Sequence, residues 1–393
     1  MRNTYIVGAC RTAIGSFGGG LKKKAAHELG TVVIKEALER GKVAPDQVDE
    51  VLMGCILQAG QGQGPARQAA RNAGIPDETP AWAINQLCGS GLKTVALAST
   101  MIAAGDAECI VAGGMENMSQ SPYLLDFGRY GKNMGHGKAL DSMVFDGLTD
   151  AFTGEHMGIT AENIAERFEI TRDMQDEYAA ESQRRCAAAQ KEGLFDEEIV
   201  AISIPQRKGD PIVIDKDEHP KASSTKEKLA KLRPAFKRDG GTVTAGNASG
   251  INDGAACVIV VSEDFMKKHA LTPLCRIVSH ATTGLDPEIM GMGPVSSSRK
   301  ALDRAGWKLE DIERAELNEA FAAQSVAVVK ELGIKPEITN VNGGAIALGH
   351  PIGASGCRIL VTLIHEMKRS DSKRGLAALC VGGGMGTAMV VER

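Results

Sequence analysis

Short runs of Val, Ile, Ala, Leu and Cys alternate along this chain with longer stretches whose apolar residues recur every three or four positions. The short runs predict buried strands at 4–9, 50–54, 109–113, 256–261, 276–281, 314–318, 338–341, 375–381 and 387–392. The longer ones predict helices at 26–40, 64–73, 90–104, 160–169, 172–191, 294–305, 320–332 and 354–368. Strands alternating with helices favour an α/β architecture with mainly parallel sheets.

The pattern also repeats. INQLCGSG leads into a helix and then into AECIVAGGME, while VNGGAIALGHPIGASG leads into a helix and then into AALCVGGGMG. Two similar halves packed together would bring both sets of glycine loops to one crevice, where ligands of open α/β sheets tend to bind. Between the repeats, from about 119 to 249, polar, charged and Met residues dominate, which reads as an insertion carried on loops. The expected division is therefore 1–118 with 250–271 as a first half, 119–249 as the insertion, and 272–393 as a second half.

Composition narrows the class. The chain has 393 residues, 43% hydrophobic but only 4% aromatic, so its core is built from small aliphatic side chains. A net charge of −4 leaves no footprint for nucleic acid. Apolar runs such as 257–261 fall far short of the roughly 20 residues of a membrane helix, and the N-terminus lacks the apolar core of a secretion signal. The nine cysteines are odd in number, scattered and never spaced CxxC, which argues against a disulfide framework or a structural zinc site and for a reducing cytoplasm. GxGxxG, GxxxxGK followed by Ser or Thr, GxSxG and HExxH do not occur, which removes the minimal features of nicotinamide, P-loop, serine-hydrolase and zinc-protease chemistry.

Three glycine-dense segments carry the candidate chemistry. Cys88, in NQLCGSG, is expected where a strand turns sharply into a helix, whose free N–H groups would favour the nucleophilic thiolate. His350 stands among five glycines between Gly343 and Gly356, with room for a ligand beside its ring, and can take a proton from Cys88 and later give one to a carbonyl oxygen. Cys380 ends the apolar run GLAALC and opens VGGGMG, a second thiol able to move protons in the same crevice. Asn318, in LNEAF, ends another strand, either to bind a water or an oxyanion or to cap a helix.

CGSG, NEAF, GHPIGASG and CVGGGMG occur in that order, accompanied by VGACRTAIGSFGG, MENMS, HMGITAENIAE, LAKLRPAF and GNASGINDGAA. In this combination the chain resembles the thiolases, of the biosynthetic, short-chain kind, over essentially its whole length. The resemblance implies a five-layered αβαβα fold of two duplicated halves with an inserted loop domain. It implies an acyltransferase that condenses two acetyl-CoA into acetoacetyl-CoA and coenzyme A by ping-pong chemistry. In it Cys88 carries the acetyl group, Cys380 removes a methyl proton, His350 and a water on Asn318 face the enolate, and the backbone N–H groups of Cys88 and Gly382 hold the tetrahedral intermediate. Neither a metal nor a permanently bound cofactor is expected.

Coenzyme A should lie largely on the insertion. Ten Lys or Arg stand against five Asp or Glu between Gln206 and Arg238, an excess suited to phosphates but equally to a solvated face. By family likeness Leu148, His156, Met157, Lys221, Phe236, Ala245, Ser249, Met290 and Phe321 follow the ligand, with His156 and Met157 closing a short acyl pocket. The likeness also implies a homotetramer of two dimers, assembled through 118–138. The nearest alternative is a degradative thiolase acting on longer 3-ketoacyl-CoA. A β-ketoacyl synthase is disfavoured by the second thiol, and non-catalytic coenzyme A carriage predicts binding without turnover. Two thiols in one pocket could also join on oxidation, provided their alpha carbons lie within about 7 Å.

Overall fold

The chain is described by a computed structural model over residues 2–393. Its main sheet runs in the order Arg314–Leu317, Arg374–Val381, Met385–Glu392, Cys275–Gly284, Thr4–Thr12, Asn252–Ser262, Cys109–Asn117, Glu50–Gly54, Ala81–Ile84. Divided between Cys275–Gly284 and Thr4–Thr12, this order gives two halves with one connectivity. Each half sets its first strand at the seam, pairs its last strand antiparallel to it, adds the glycine-bearing strand antiparallel again, and then a parallel strand. The seam itself is three antiparallel pairs, Thr4 to Ile277, Tyr5 to Arg276 and Ile6 to Cys275.

Helices Ser90–Ala104 and Ile352–Arg369 pack on each other between the half-sheets. Ala26–Gly41 and Pro65–Asn72 cover the outer face of the first half, and Gly293–Ala305 with Ala322–Leu332 that of the second. The result is a five-layered αβαβα arrangement, the one the resemblance implies. The strand Asn252–Ser262 shows why continuous apolar runs become strands here: every residue is buried, Cys257, Ile259 and Val261 facing the outer core and Ala256, Val258 and Val260 the central one. The 18-residue window Leu87–Ala104 is apolar enough to cross a membrane by composition, a feature the run-length reading passes over. It forms a central helix of the core.

Two local expectations fail for identifiable reasons. Residues 338–341 form no strand. Pro336 starts a short 3-10 turn, and the only ladder contact is the bridge from Ala315 to Thr339. The side chain of Asn340 takes over the ladder's task, accepting from the Leu317 N–H and donating to the Leu317 carbonyl, both at 2.8 Å. Conversely Ala81–Ile84 is a strand at the sheet edge, too short at four residues to stand out in the sequence.

The chain leaves the sheet after Asn117 and rejoins it at Asn252. Between these points, helices Met157–Arg167 and Arg172–Lys191 pack against Ala322–Leu332 of the second half. Arg11, fully buried on the first strand, ties the same segment to the first half. Its guanidinium donates to Glu198 at 2.7 Å and to both oxygens of Asp217 at 2.6 and 3.0 Å, and it lies over the Phe195 ring. Arg11→Met would leave two buried carboxylates without a countercharge, so chemical denaturation should show a loss of about 3–5 kcal/mol in unfolding free energy.

Candidate active site

The turn that presents Cys88 is built by the residues before it. Leu87 adopts the left-handed conformation (φ +48), which is uncommon for a side chain of its kind and marks a tightly held turn. Ser90 holds it, accepting from the Gln86 N–H at 2.8 Å and donating to the Leu87 carbonyl at 2.7 Å. Cys88 thus stands between the edge strand and the start of the central helix Ser90–Ala104, half-buried among Leu87, Ile56, Leu57 and Ile352.

The electrostatics differ from the sequence expectation. N–H groups at the helix start turn to local carbonyls, Ser90 to Leu87 and Leu92 and Lys93 to Gly89, rather than to the sulfur. The donors that reach the sulfur are the backbone N–H groups of Gly382 and of Cys88 itself. Burial outweighs them, and with the nearby charge of Glu116 the thiol is pushed up to about 11. At rest Cys88 is therefore a thiol, not a thiolate.

Cys380 is fully buried at the end of the strand Arg374–Val381, close enough to Cys88 that a negative charge there would lift it further; burial is the larger cause of its raised value. All nine cysteines are free. Gly382 completes the corner: a Cβ on it would lie 3.0 Å from Leu87 and 3.8 Å from the Met157 sulfur.

His350 is buried just before the second central helix. Its N–H donates to Asn252 at 3.0 Å, and its Nδ1 lies 2.6 Å from the Ser355 hydroxyl. That hydroxyl gives its single proton to the Pro351 carbonyl at 2.9 Å, so it accepts from Nδ1–H. Nε2 is then the basic nitrogen, and it has no protein partner among the described residues. Burial, with the charge of Arg358, pushes the ring down to about 3, so it is neutral at pH 7. Asn318 is likewise buried, with neither end of its amide partnered among the described residues. It is not a helix cap, because the following helix begins at Ala322 with Phe321 before it.

Asn252, Ser355 and Glu319 stand within the quoted motifs, but the linear sequence does not give their partners: Asn252 and Glu319 bond residues far along the chain, and Ser355 bonds His350 five residues before it. Glu319 joins the segment after Asn318 to the His350 loop, accepting from Tyr178, Ser182, Asn340 and the Ile346 N–H.

The expected coenzyme A residues divide. Met157 donates its N–H to the Leu148 carbonyl, and Leu148 packs in the same apolar cluster as Cys88. The His156 ring stacks on Phe236 at 4.7 Å, and Phe236 meets Phe321 edge-on at 6.3 Å. Ser249 donates its N–H to the Ala320 carbonyl, and Met290 is sealed inside the cluster that holds Met157 and Phe321. Lys221 and Ala245 are exposed and belong to none of these clusters. A cavity of about 810 Å³ lies elsewhere, lined by Tyr178, Arg185, Val329 and Pro336, and contains none of Cys88, His350 or Cys380. Among the described residues, no three His, Cys, Asp or Glu side chains are grouped to hold a metal ion.

The N-terminal domain of thiolases matches residues 4–264 and the C-terminal domain of thiolases matches 271–393. The chain belongs to the thiolase family. It is 58% identical to the acetyl-CoA acetyltransferase of Cupriavidus necator over 393 residues, all of both chains, and 56% identical to that of Pseudomonas aeruginosa, again over all of both. The crystal structure of the Bacillus anthracis acetyl-CoA acetyltransferase matches with a TM-score of 0.97 at 47% identity, over 100% of this chain and 99% of that one. Human mitochondrial 3-ketoacyl-CoA thiolase matches with a TM-score of 0.96 at 44% identity, over 100% and 98%.

With the Cys88 thiol at about 11 and His350 neutral, alkylation of Cys88 by iodoacetamide should rise steadily from pH 7 to pH 10 as the thiolate fraction grows. Mass spectrometry of the alkylated peptide reads this. His350→Phe should lower the rate at pH 7 by about 100-fold or more, the scale of a lost general base.

Proposed function

We propose that this thiolase is an acetyl-CoA C-acetyltransferase that condenses two acetyl-CoA into acetoacetyl-CoA and coenzyme A through an acetyl group carried on Cys88. The observation that carries this is the approach of the half-buried Cys88 thiol to the buried Cys380 thiol and the Gly382 N–H at the end of the strand Arg374–Val381.

The protonation states suggest the path. Neutral His350 takes the Cys88 proton at Nε2 as the sulfur attacks the acetyl carbonyl, whose oxygen becomes negative beside the N–H groups of Cys88 and Gly382. The bond to the coenzyme A sulfur breaks, and that sulfur leaves with the proton of Cys380. An imidazolium and a Cys380 thiolate remain as a buried pair. Cys380 then takes a proton from the methyl group of a second acetyl-CoA, and the enolate oxygen is stabilised by His350 and by a water on the Asn318 amide. The carbanion attacks the acetyl-Cys88 carbonyl, and Cys88 leaves and recovers its proton from His350. Two acetyl-CoA enter, acetoacetyl-CoA and coenzyme A emerge, and every group returns to its starting form. Thiolysis is the same path reversed.

Coenzyme A is a substrate here, laid along Leu148, His156, Met157, Phe236, Phe321 and Ser249. Met157, beside Gly382 and Leu87, walls the acyl pocket and favours a two-carbon group. The near-equal match to a 3-ketoacyl-CoA thiolase shows that the fold alone does not select chain length. A series of 3-ketoacyl-CoA substrates decides it: preference beyond four carbons would replace the short-chain assignment. The exposed Tyr123, Leu125, Tyr130 and Met134, on and near the hairpin of Tyr123–Leu125 with Ala139–Asp141, support assembly of a homotetramer through this segment. Sedimentation of the native chain and of a charged variant of Leu125 tests it. Nine free thiols accord with a cytoplasmic setting.

Incubation with acetyl-CoA should add one acetyl group to the native chain and none to Cys88→Ala, read by intact mass. Cys380→Ala should still acquire the acetyl group, more slowly because the leaving coenzyme A sulfur loses its proton donor, while condensation falls about 100- to 10,000-fold because the second half-reaction loses its base. An acetyl adduct retained in Cys88→Ala would overturn the assignment of the nucleophile.

A further inference from the structure

We propose that Glu116 is a positioning residue for this reaction, holding the segment that carries His350 in register with the one that carries Cys88. The inference rests on the assignment of those two residues given above.

Glu116 lies fully buried near the end of the strand Cys109–Asn117, on the first half. One carboxylate oxygen accepts from the Ile56 N–H at 3.1 Å and from the Gly353 N–H at 2.9 Å, and the other from the Leu57 N–H at 3.2 Å, with the Cys55 thiol at 3.8 Å. Ile56 and Leu57 follow the strand Glu50–Gly54. Gly353 belongs to the second half, in the first turn of the helix that starts two residues after His350. A helix's first N–H groups have no partner within the helix, and a negative charge is favourable there. Glu116 therefore caps this helix from across the boundary between the halves.

The fit leaves little slack. A Cβ on Gly353 would come within 2.5 Å of the Glu116 oxygen. A Cβ on Gly54 would meet the Gly353 carbonyl at 2.7 Å and the Ser90 side chain at 2.8 Å, so one backbone position touches both helix starts. A carboxylate suits the three N–H donors in a way an amide does not, because an amide would turn its NH2 against at least one of them. The charge has a cost to the nucleophile: it raises the Cys88 thiol, opposing the Gly382 N–H. The same burial pushes Glu116 itself up to about 7, with the three N–H groups acting against it. A group retained against both effects points to a geometric task.

Two variants separate charge from reach. Glu116→Gln removes the charge and Glu116→Asp keeps it on a shorter stem. In purified full-length protein, both should lower kcat for condensation by about 100-fold, the scale of a 1 Å misplacement, with KM for acetyl-CoA little changed. The pH midpoint for alkylation of Cys88 should fall in Glu116→Gln and stay at the native value in Glu116→Asp, a split that a merely destabilising role would not produce. Native kcat in either folded variant, or a loss that only tracks the folded fraction measured by circular dichroism, would overturn the proposal. A native enzyme that takes up no acetyl group would instead overturn the assignment of Cys88, a result visible before any Glu116 variant is made.

Discussion

Backbone meets backbone where the two central helices begin, and the placement of the reacting groups follows from that contact. A Cβ on Gly91 would lie 2.8 Å from the Cys357 nitrogen, one on Gly356 2.4 Å from the Leu92 nitrogen, and one on Gly114 2.1 Å from the Gly353 carbonyl. No other side chain allows this approach. Because interiors are close-packed and respond to displacements of a single methylene, such contacts hold Ser90 and Gly353 in fixed relation. Cys88 stands two residues before the first and His350 three before the second. Glycine, which weakens a helix by roughly 0.5–1 kcal/mol, is retained here for proximity.

Burial at this contact also sets the chemistry. Cys88 and Cys380 are raised and His350 is lowered, in each case chiefly because charge is disfavoured in a dry interior. Cys88, Cys380 and His350 are thus all uncharged at rest, with no standing ion pair among them. On the path proposed above, side-chain charge appears as an imidazolium, when His350 takes the Cys88 proton, and as a Cys380 thiolate, when Cys380 protonates the leaving sulfur, so each offsets the other. That path uses both a histidine with a free Nε2 and a second thiol, because either alone would leave an unpaired buried charge.

Much of the fold was legible because its strands are buried on both faces and read as unbroken apolar runs, as Asn252–Ser262 does. Cys88, His350 and Cys380 were legible because reactive side chains among glycines have no packing use. What escaped depends on partners remote in sequence. Asn340 substitutes its amide for a strand, so 338–341 looked like one more strand. Asn252 holds the His350 backbone and is an ordinary polar residue until the loops meet; Ser355 is the local exception, fixing the His350 tautomer from five residues along the same segment. The state of the Cys88 thiol was misjudged for a related reason: the helix start was visible, but not that Gln86, Leu87 and Gly89 consume its N–H groups.

The duplication shows how one motif can serve two ends. GGM occurs within the strand Cys109–Asn117 of the first half and just after the strand Arg374–Val381 of the second. In the second half, Gly383 and Gly384 take positive φ values of 73 and 79 and turn the chain straight into Met385–Glu392, leaving Cys380 just before the turn. In the first half, Gly113 and Gly114 stay within the strand, which runs on to Asn117. There the missing side chains admit other backbone, the Ala256 carbonyl at 2.3 Å from a Cβ on Gly113 and the Gly353 carbonyl at 2.1 Å from one on Gly114. The first copy thus spends its glycines on contact with the other half, and the second on a sharp turn beside the reacting groups. Extending the first strand has two further consequences: it carries Glu116 to Gly353 of the second half, and it sends the chain into the insertion that packs over that half. Asymmetry at one short motif is enough to give two similar halves the separate tasks of anchoring the site and supplying its base.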